Sequence, residues 1–425
     1  MKHCFSPATI CLPDFKRADV DGSRWSCVAC DQYTSEPDYW ANIDSLVGNY
    51  PSALRLILPE VWLGEADARI PDIHTTMDAY ASDVLVRYPG RMIYVERTLD
   101  DGKVRRGLVG KIDLCDYDFR PGASSMIRAT EKTVTERIPP RMAIRRGAAL
   151  ELPHVMLLID DPDDSVIGAA ARRADELEVA YDYPLLAKGG HLKGTWLDDI
   201  SVAEVTSALD ALITPEAMAA RYGSSDLAPL LFAVGDGNHS LASAKAYFEE
   251  IKAEIGEEAA MKHPARYALV EVVNLYDKSL EFEPIYRVLF GVDTAHALAA
   301  WEAYAAAQAG NQAPQAVDWY IGDTHGTTAV PSPTAALTVG TVQAFLDDYL
   351  TTAPAGAYVD YIHGEDTAMN LAKENGAIAF LYDGMKKEQL FFSVIADGSL
   401  PRKTFSMGHA HDKRFYTEAR ELIRE

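Results

Sequence analysis

Long apolar runs are missing from this chain of 425 residues. No stretch reaches the roughly 18 uninterrupted apolar residues that a membrane-crossing helix needs, so none is expected. Cysteine is scarce as well: five residues, Cys4, Cys11, Cys27, Cys30 and Cys115, too few and odd in number for a disulfide scaffold. The opening residues Met1 to Pro7 hold no apolar segment of signal-peptide length, and with the cysteine usage this points to a cytoplasmic protein. Positive charge is in deficit, with 40 Lys+Arg against 63 Asp+Glu and a net charge of −23. A field of that sign repels phosphate backbones and anionic lipid, which argues against a general nucleic-acid or membrane-surface binder. A local basic pocket for a small phosphorylated ligand is still allowed. Gly-x-Gly-x-x-Gly, Gly-x-Ser-x-Gly and the Gly-Lys-Ser/Thr step of a Walker loop are all absent. No repeat of solenoid length is present.

What is present is an ordinary globular balance, 48% hydrophobic and 24% charged, long enough for two or more packed units. Short β-type runs occur at 53–59, 91–97, 155–159, 230–234, 378–382 and 390–394. Helical spacing occurs at 71–88, 201–212, 240–255 and 295–309, and the charged C-terminus reads as a helix. This is α+β: mixed sheets with flanking helices, not a strict βα alternation. Composition suggests an N-terminal region 1–120, a central region 121–290, an Ala-rich insertion or subdomain 291–356, and a C-terminal block 357–425 that completes the core.

The sharpest local signal is Gly235-Asp236-Gly237-Asn238-His239-Ser240, a glycine-flanked polar turn between an apolar strand and a helix. The first amides of a helix are unsatisfied donors at the positive end of its dipole, a ready anion site. Asn238 or Ser240 can cap the helix, His239 can donate to a phosphate or move a proton, and Asp236 can hold a metal or orient His239. The same residues also suit a plain strand–turn–helix connection. A second cluster, Arg128 and Glu131 with Lys132, Glu136, Arg137 and Arg141, could clamp a phosphate or form a solvated charged strand. A third, Arg402 and Lys403, stands out in an acidic chain. Cys27-x-x-Cys30 and His409-x-His411 lack further ligands at metal-site spacing, and Gly189-Gly190 reads as a tight turn.

Ala29-Cys30-Asp31-Gln32-Tyr33-Thr34-Ser35, Ile127-Arg128-Ala129-Thr130-Glu131 and Glu151-Leu152-Pro153-His154 carry a resemblance to the bacterial and archaeal domain-of-unknown-function 1015 family. So do Gly235 to His239, Val273-Asn274-Leu275-Tyr276-Asp277 and Pro401 to Ser406. The chain is more distantly similar to the ParB and sulfiredoxin-like superfamily, which includes free-serine kinases. There an Asp-Gly-His-His-Arg turn opens a helix that cradles nucleotide phosphates. Asp236, Gly237 and His239 match it; Asn238 replaces the first His and Ser240 the Arg, which removes a bidentate phosphate donor. Arg128, Lys403 or Lys245 would then have to supply that charge.

This resemblance implies a ParB/sulfiredoxin-like core plus an additional subdomain. It also implies a phosphotransferase or phosphohydrolase acting on serine, phosphoserine or another small hydroxylated metabolite, with Mg²⁺ and ATP or ADP. Arg128, Asp236, Gly237, Asn238, Ser240, Arg402 and Lys403 are the expected phosphate or nucleotide contacts, and Asp236 the expected metal ligand. Asp31, Glu36 or Glu131 would take the hydroxyl proton, with His239 also catalytic. A non-catalytic nucleotide-binding regulatory module is the alternative. The expected partner is a nucleotide or small phosphorylated substrate, and a homodimer is allowed.

Overall fold

The computed structural model describes residues 3–133 and 135–423. The fold is mixed α+β with several sheets. The chain divides into two compact units, Met1–Leu280 with Gly408–Glu425, and Glu281–Met407.

The first unit is built on a ten-stranded sheet. Its strands are β1 (Phe5–Ser6), β2 (Ile93–Thr98), β3 (Val104–Asp113), β4 (Tyr117–Asp118), β5 (Ile127–Ala129), β6 (Met156–Ile159), β7 (Val179–Pro184), β8 (His191–Trp196), β9 (Phe232–Asp236) and β10 (Tyr267–Asn274). The order is β7-β8-β2-β3-β10-β6-β9-β5-β4, with β1 added on β3. Alternation along the strands serves two cores. Leu108, Ile112, Val270 and Val272 join Val205 and Leu209 of α1 (Asp199–Leu212) and Leu241 and Phe248 of α2 (Asn238–Ile255) on one face. Val109, Leu269, Ile93 and Val95 pack with Tyr181, Tyr183 and Tyr416 on the other.

Three short pairings position the site. Antiparallel β6 and β9 place Met156 beside Asp236, so the segment entering β6 lies next to the end of β9. Parallel β5 and β9 send Thr130 and Glu131 out at that same edge. The returning C-terminal segment pairs Arg414–Phe415 with Cys27–Val28, and the Ala29 amide donates to the Lys413 carbonyl at 2.7 Å.

The second unit carries a six-stranded sheet: β11 (Phe282–Phe290), β12 (Gln315–Ile321), β13 (Thr324–Val330), β14 (Tyr358–His363), β15 (Ile378–Leu381) and β16 (Phe405–Met407). The order is β13-β12-β15-β11-β14, with β16 on β11. The Ala-rich segment forms α3 (Thr294–Ala307), whose buried Trp301 meets Phe345 at 5.2 Å and Phe380 of β15 at 5.6 Å between ring centroids. Residues 291–356 therefore share one core and one sheet with 357–407 rather than standing apart, and 408–423 belong to the first unit.

Three expected elements differ. Residues 53–56 form a turn of 3₁₀ helix capped by Ser52, whose hydroxyl accepts from the Leu54 amide. Residues 390–394 lie in helix α4 (Gln389–Asp397), where Leu390, Phe391 and Val394 are buried while Phe392 faces out. The described part of the C-terminus is short strands, Arg414–Phe415 and Arg420–Glu421, not a helix.

The sheet face that carries Tyr416 also buries charge. Arg97 and Arg105 lie opposite each other on β2 and β3, with Asp412, Glu271 and Glu418 close by. Arg97 is fully enclosed, with Asp412 at 3.7 Å, and burial lowers its pKa to about 10. Arg105 contacts Glu271 at 3.5 Å and the Tyr416 hydroxyl. Glu418 accepts from the Tyr181 hydroxyl, yet burial pushes its carboxyl from the ordinary 4.5 to about 7. Between those values the folded chain holds a proton that the unfolded chain has released, so this group lowers stability as pH rises from about 4.5 to about 7. At roughly 1.4 kcal/mol per tenfold change in proton affinity, the Glu418→Gln variant should exceed the parent by up to about 3 kcal/mol at pH 8 and match it near pH 4.5. Denaturant titrations across that range check this; a difference independent of pH would contradict it.

Candidate functional site

Four separate segments converge on the start of α2. Gly237 takes the N-cap position in the left-handed conformation (φ 80°), and a Cβ there would sit 3.0 Å from the Val155 Cα, so glycine is required on both counts. Its amide donates to Asp236 Oδ1 at 2.8 Å. The helix has no side-chain cap, contrary to the caps expected from Asn238 or Ser240. The Leu241 amide donates to the Gly237 carbonyl at 3.0 Å, which places Asn238, His239 and Ser240 in the first turn, at the positive end of the helix. Asn238 Oδ1 is enclosed and meets no donor. Ser240 Oγ lies 3.1 Å from His154 Nε2, and His154 is held edge-on against Phe415 at 4.8 Å.

The cation here is Lys413. Its Nζ is 3.2 Å from Asp236 Oδ2, and burial, which favours the neutral amine, is outweighed by Asp236, Asp31 and Glu131. Its ammonium is held charged, with a pKa above the ordinary lysine value. Burial pushes the Asp31 carboxyl upward, but His154, the Gln32 amide at 3.0 Å, Lys413 and Arg141 outweigh it and hold Asp31 below the usual carboxylate range. The result is an ionised carboxylate and an ammonium beside the positive end of an 18-residue helix.

Asp31, Glu131, Asp236, Gly237, Asn238, His239 and Ser240 are thus brought to one region. Arg128 and Glu36 are not. Arg128 is buried, and its guanidinium donates to the carbonyls of Ser125, Ala228 and Pro229, which ties down a loop and leaves it away from phosphate duty. Glu36 is exposed at the cap position of the helix Pro37–Val47. Arg402 and Lys403 belong to the second unit, where both cations lie over the Tyr361 ring and Arg402 reaches Asp347 at 3.3 Å. Lys245 is engaged by the Leu114 carbonyl and Glu249. The cation that the structure does bring to this turn is Lys413, beside Asp236, which sequence reasoning passed over. Its signal was the Lys413-Arg414 pair just beyond His411 in a strongly acidic chain.

The donor set does not suit the expected metal role of Asp236. Its carboxylate already faces an ammonium, and among the described residues no group of three or more His, Cys, Asp or Glu is placed to hold a metal ion. Cys27 is a free thiol that burial pushes up to about 12, as expected of a packed rather than a ligating cysteine.

Removing the ammonium leaves like charges facing one another. Lys413→Met should cost about 2 kcal/mol of unfolding free energy at pH 7, less than the roughly 3–5 kcal/mol for a fully buried ion partner because its side chain is 26% exposed. Adding Asp236→Asn should restore most of that loss. A double-mutant cycle in which the two losses simply add would refute the pairing.

No helix among the described residues is long and apolar enough to cross a membrane. Among curated proteins none matches the chain. Solved structures that align with it include a conserved hypothetical protein from Pyrococcus furiosus (12% identity, 76% of this chain and 96% of that chain, TM-score 0.34). A free serine kinase in complex with AMP aligns at 11% identity over 76% and 92% of the two chains, with a TM-score of 0.36. SbnI with a C-terminal truncation, from Staphylococcus aureus, aligns at 12% over 74% and 82%, with a TM-score of 0.32. Likeness at this level transfers neither fold details nor activity. Residues 14–349 match the family described as protein of unknown function (DUF1015), and the chain belongs to that family.

Proposed function

We propose that this protein transfers a phosphoryl group between a nucleotide, ATP or ADP, and the hydroxyl of a small metabolite, with serine or phosphoserine as first candidates. The observation that carries this reading is the meeting of Lys413 and Asp31 at the uncapped start of α2. Phosphoryl transfer asks for positioning and charge neutralisation more than for covalent chemistry by the protein. The leading amides of α2 and the Lys413 ammonium would receive the transferring phosphate. Asp31, held ionised, would accept the proton of the attacking hydroxyl as the new oxygen–phosphorus bond forms and the bond to the leaving nucleotide breaks. Asn238 Oδ1, which lacks a donor, would accept from a hydroxyl or ammonium of the metabolite. His154, bonded to Ser240, orients that rim of the site.

Phosphorus NMR on the purified chain with ATP, Mg²⁺ and serine tests the reading. A new phosphoester resonance is expected, and Asp31→Asn should slow its appearance by about 10²–10⁴-fold with nucleotide binding retained. Full activity in Asp31→Asn would remove Asp31 from the mechanism. Nucleotide binding with no product from any of a set of small alcohols would instead favour a regulatory binding module.

A further inference from the structure

Behind the His154–Ser240 contact lies a cavity of about 150 Å³ within the first unit. Its walls are mainly apolar, from Leu58, Leu63, Met77, Ile144, Leu152 and Leu241. The charges that border it are already answered: Arg141 by Glu60, and Arg145 by Glu151, which also accepts from Arg420 at 2.6 Å. A second charged group entering here would find no free counter-charge. A space of about 150 Å³ with mainly aliphatic walls has room for a benzene-sized guest. An apolar body that fills it gains affinity with each methylene withdrawn from water. Serine, with one methylene, would leave most of such a space unfilled and is therefore expected to be a poorer acceptor than an alcohol with an apolar body.

From this we infer that the site takes a small amphipathic alcohol or amino alcohol, its polar head at His154 and Ser240 and an uncharged apolar body up to benzene size in the cavity. Its place as phosphoryl acceptor rests on the function proposed above; its binding does not. The cavity therefore sets the size and polarity of the ligand, and the turn before α2 sets where its head group lies.

Two readouts separate the claims. Fluorine NMR of 4-fluorobenzyl alcohol should show saturable binding to the intact chain. Affinity should fall at least tenfold in Ala244→Leu and in Ala148→Leu, which narrow the cavity from different segments. Near-parental melting temperatures in either variant keep the comparison valid. Failure of the parent chain to bind, or unchanged binding in a folded variant, overturns the inference.

Turnover is then compared for ethanolamine and leucinol, which share a head group and differ by an isobutyl arm. Leucinol should be favoured at least tenfold in kcat/KM. Phosphorylation of ethanolamine with no preference for leucinol overturns the inference and leaves phosphotransfer standing. Binding without phosphorylation of either alcohol or of serine removes the phosphotransfer reading and leaves the cavity's specificity standing.

Discussion

The Lys413 ammonium, set among Asp31, Glu131 and Asp236, is the interaction on which the candidate site depends. Each carboxylate arrives from a different segment, and the cation offsets the repulsion among the three. In the same stroke Lys413 neutralises acidity that would repel a phosphate from the positive end of α2. Against three carboxylates the single ammonium offsets part of the local negative charge of this acidic chain, and the leading amides of α2 add partial positive charge beside it.

Topology explains why these groups meet. β9 lies between an antiparallel neighbour and a parallel one, so its end is bordered by the start of β6 and the exit of β5. The C-terminal segment then returns to the first unit, and its pairing at Cys27–Val28 fixes Lys413 beside Ala29 and Asp31. The same returning segment carries Asp412, Tyr416 and Glu418 onto a charged, buried face of the sheet. The pairing there is incomplete: the Arg97 guanidinium is enclosed with no hydrogen-bond partner among the described residues and Asp412 at 3.7 Å, so part of the cost of burying charge is left uncompensated.

Much of the site was legible in local sequence. The turn at 235–240 announced itself by its glycines and by the switch from apolar strand to helix, and β6, β9, α1 and α2 follow their hydrophobic periods. What failed was long-range or ambiguous. Lys413 lies far along the chain, and its role exists only through tertiary pairing. Arg128 carries the charge of a phosphate ligand, yet its short strand aims it at loop carbonyls. The apolar run at 390–394 fits strand or helix by composition; only burial at 390, 391 and 394 decides for helix. Ser52 diverted 53–56 from strand by offering its hydroxyl to the Leu54 amide.

The central claim is that phosphate binds over the first turn of α2, facing Lys413. Backbone amide NMR of the deuterated, nitrogen-15-labelled chain during an ATP titration tests it most directly. The largest shifts should fall on the amides of Asn238, His239 and Ser240, and Lys413→Met should abolish them. Saturating ATP that leaves those three amides unmoved while shifting a different region would contradict it.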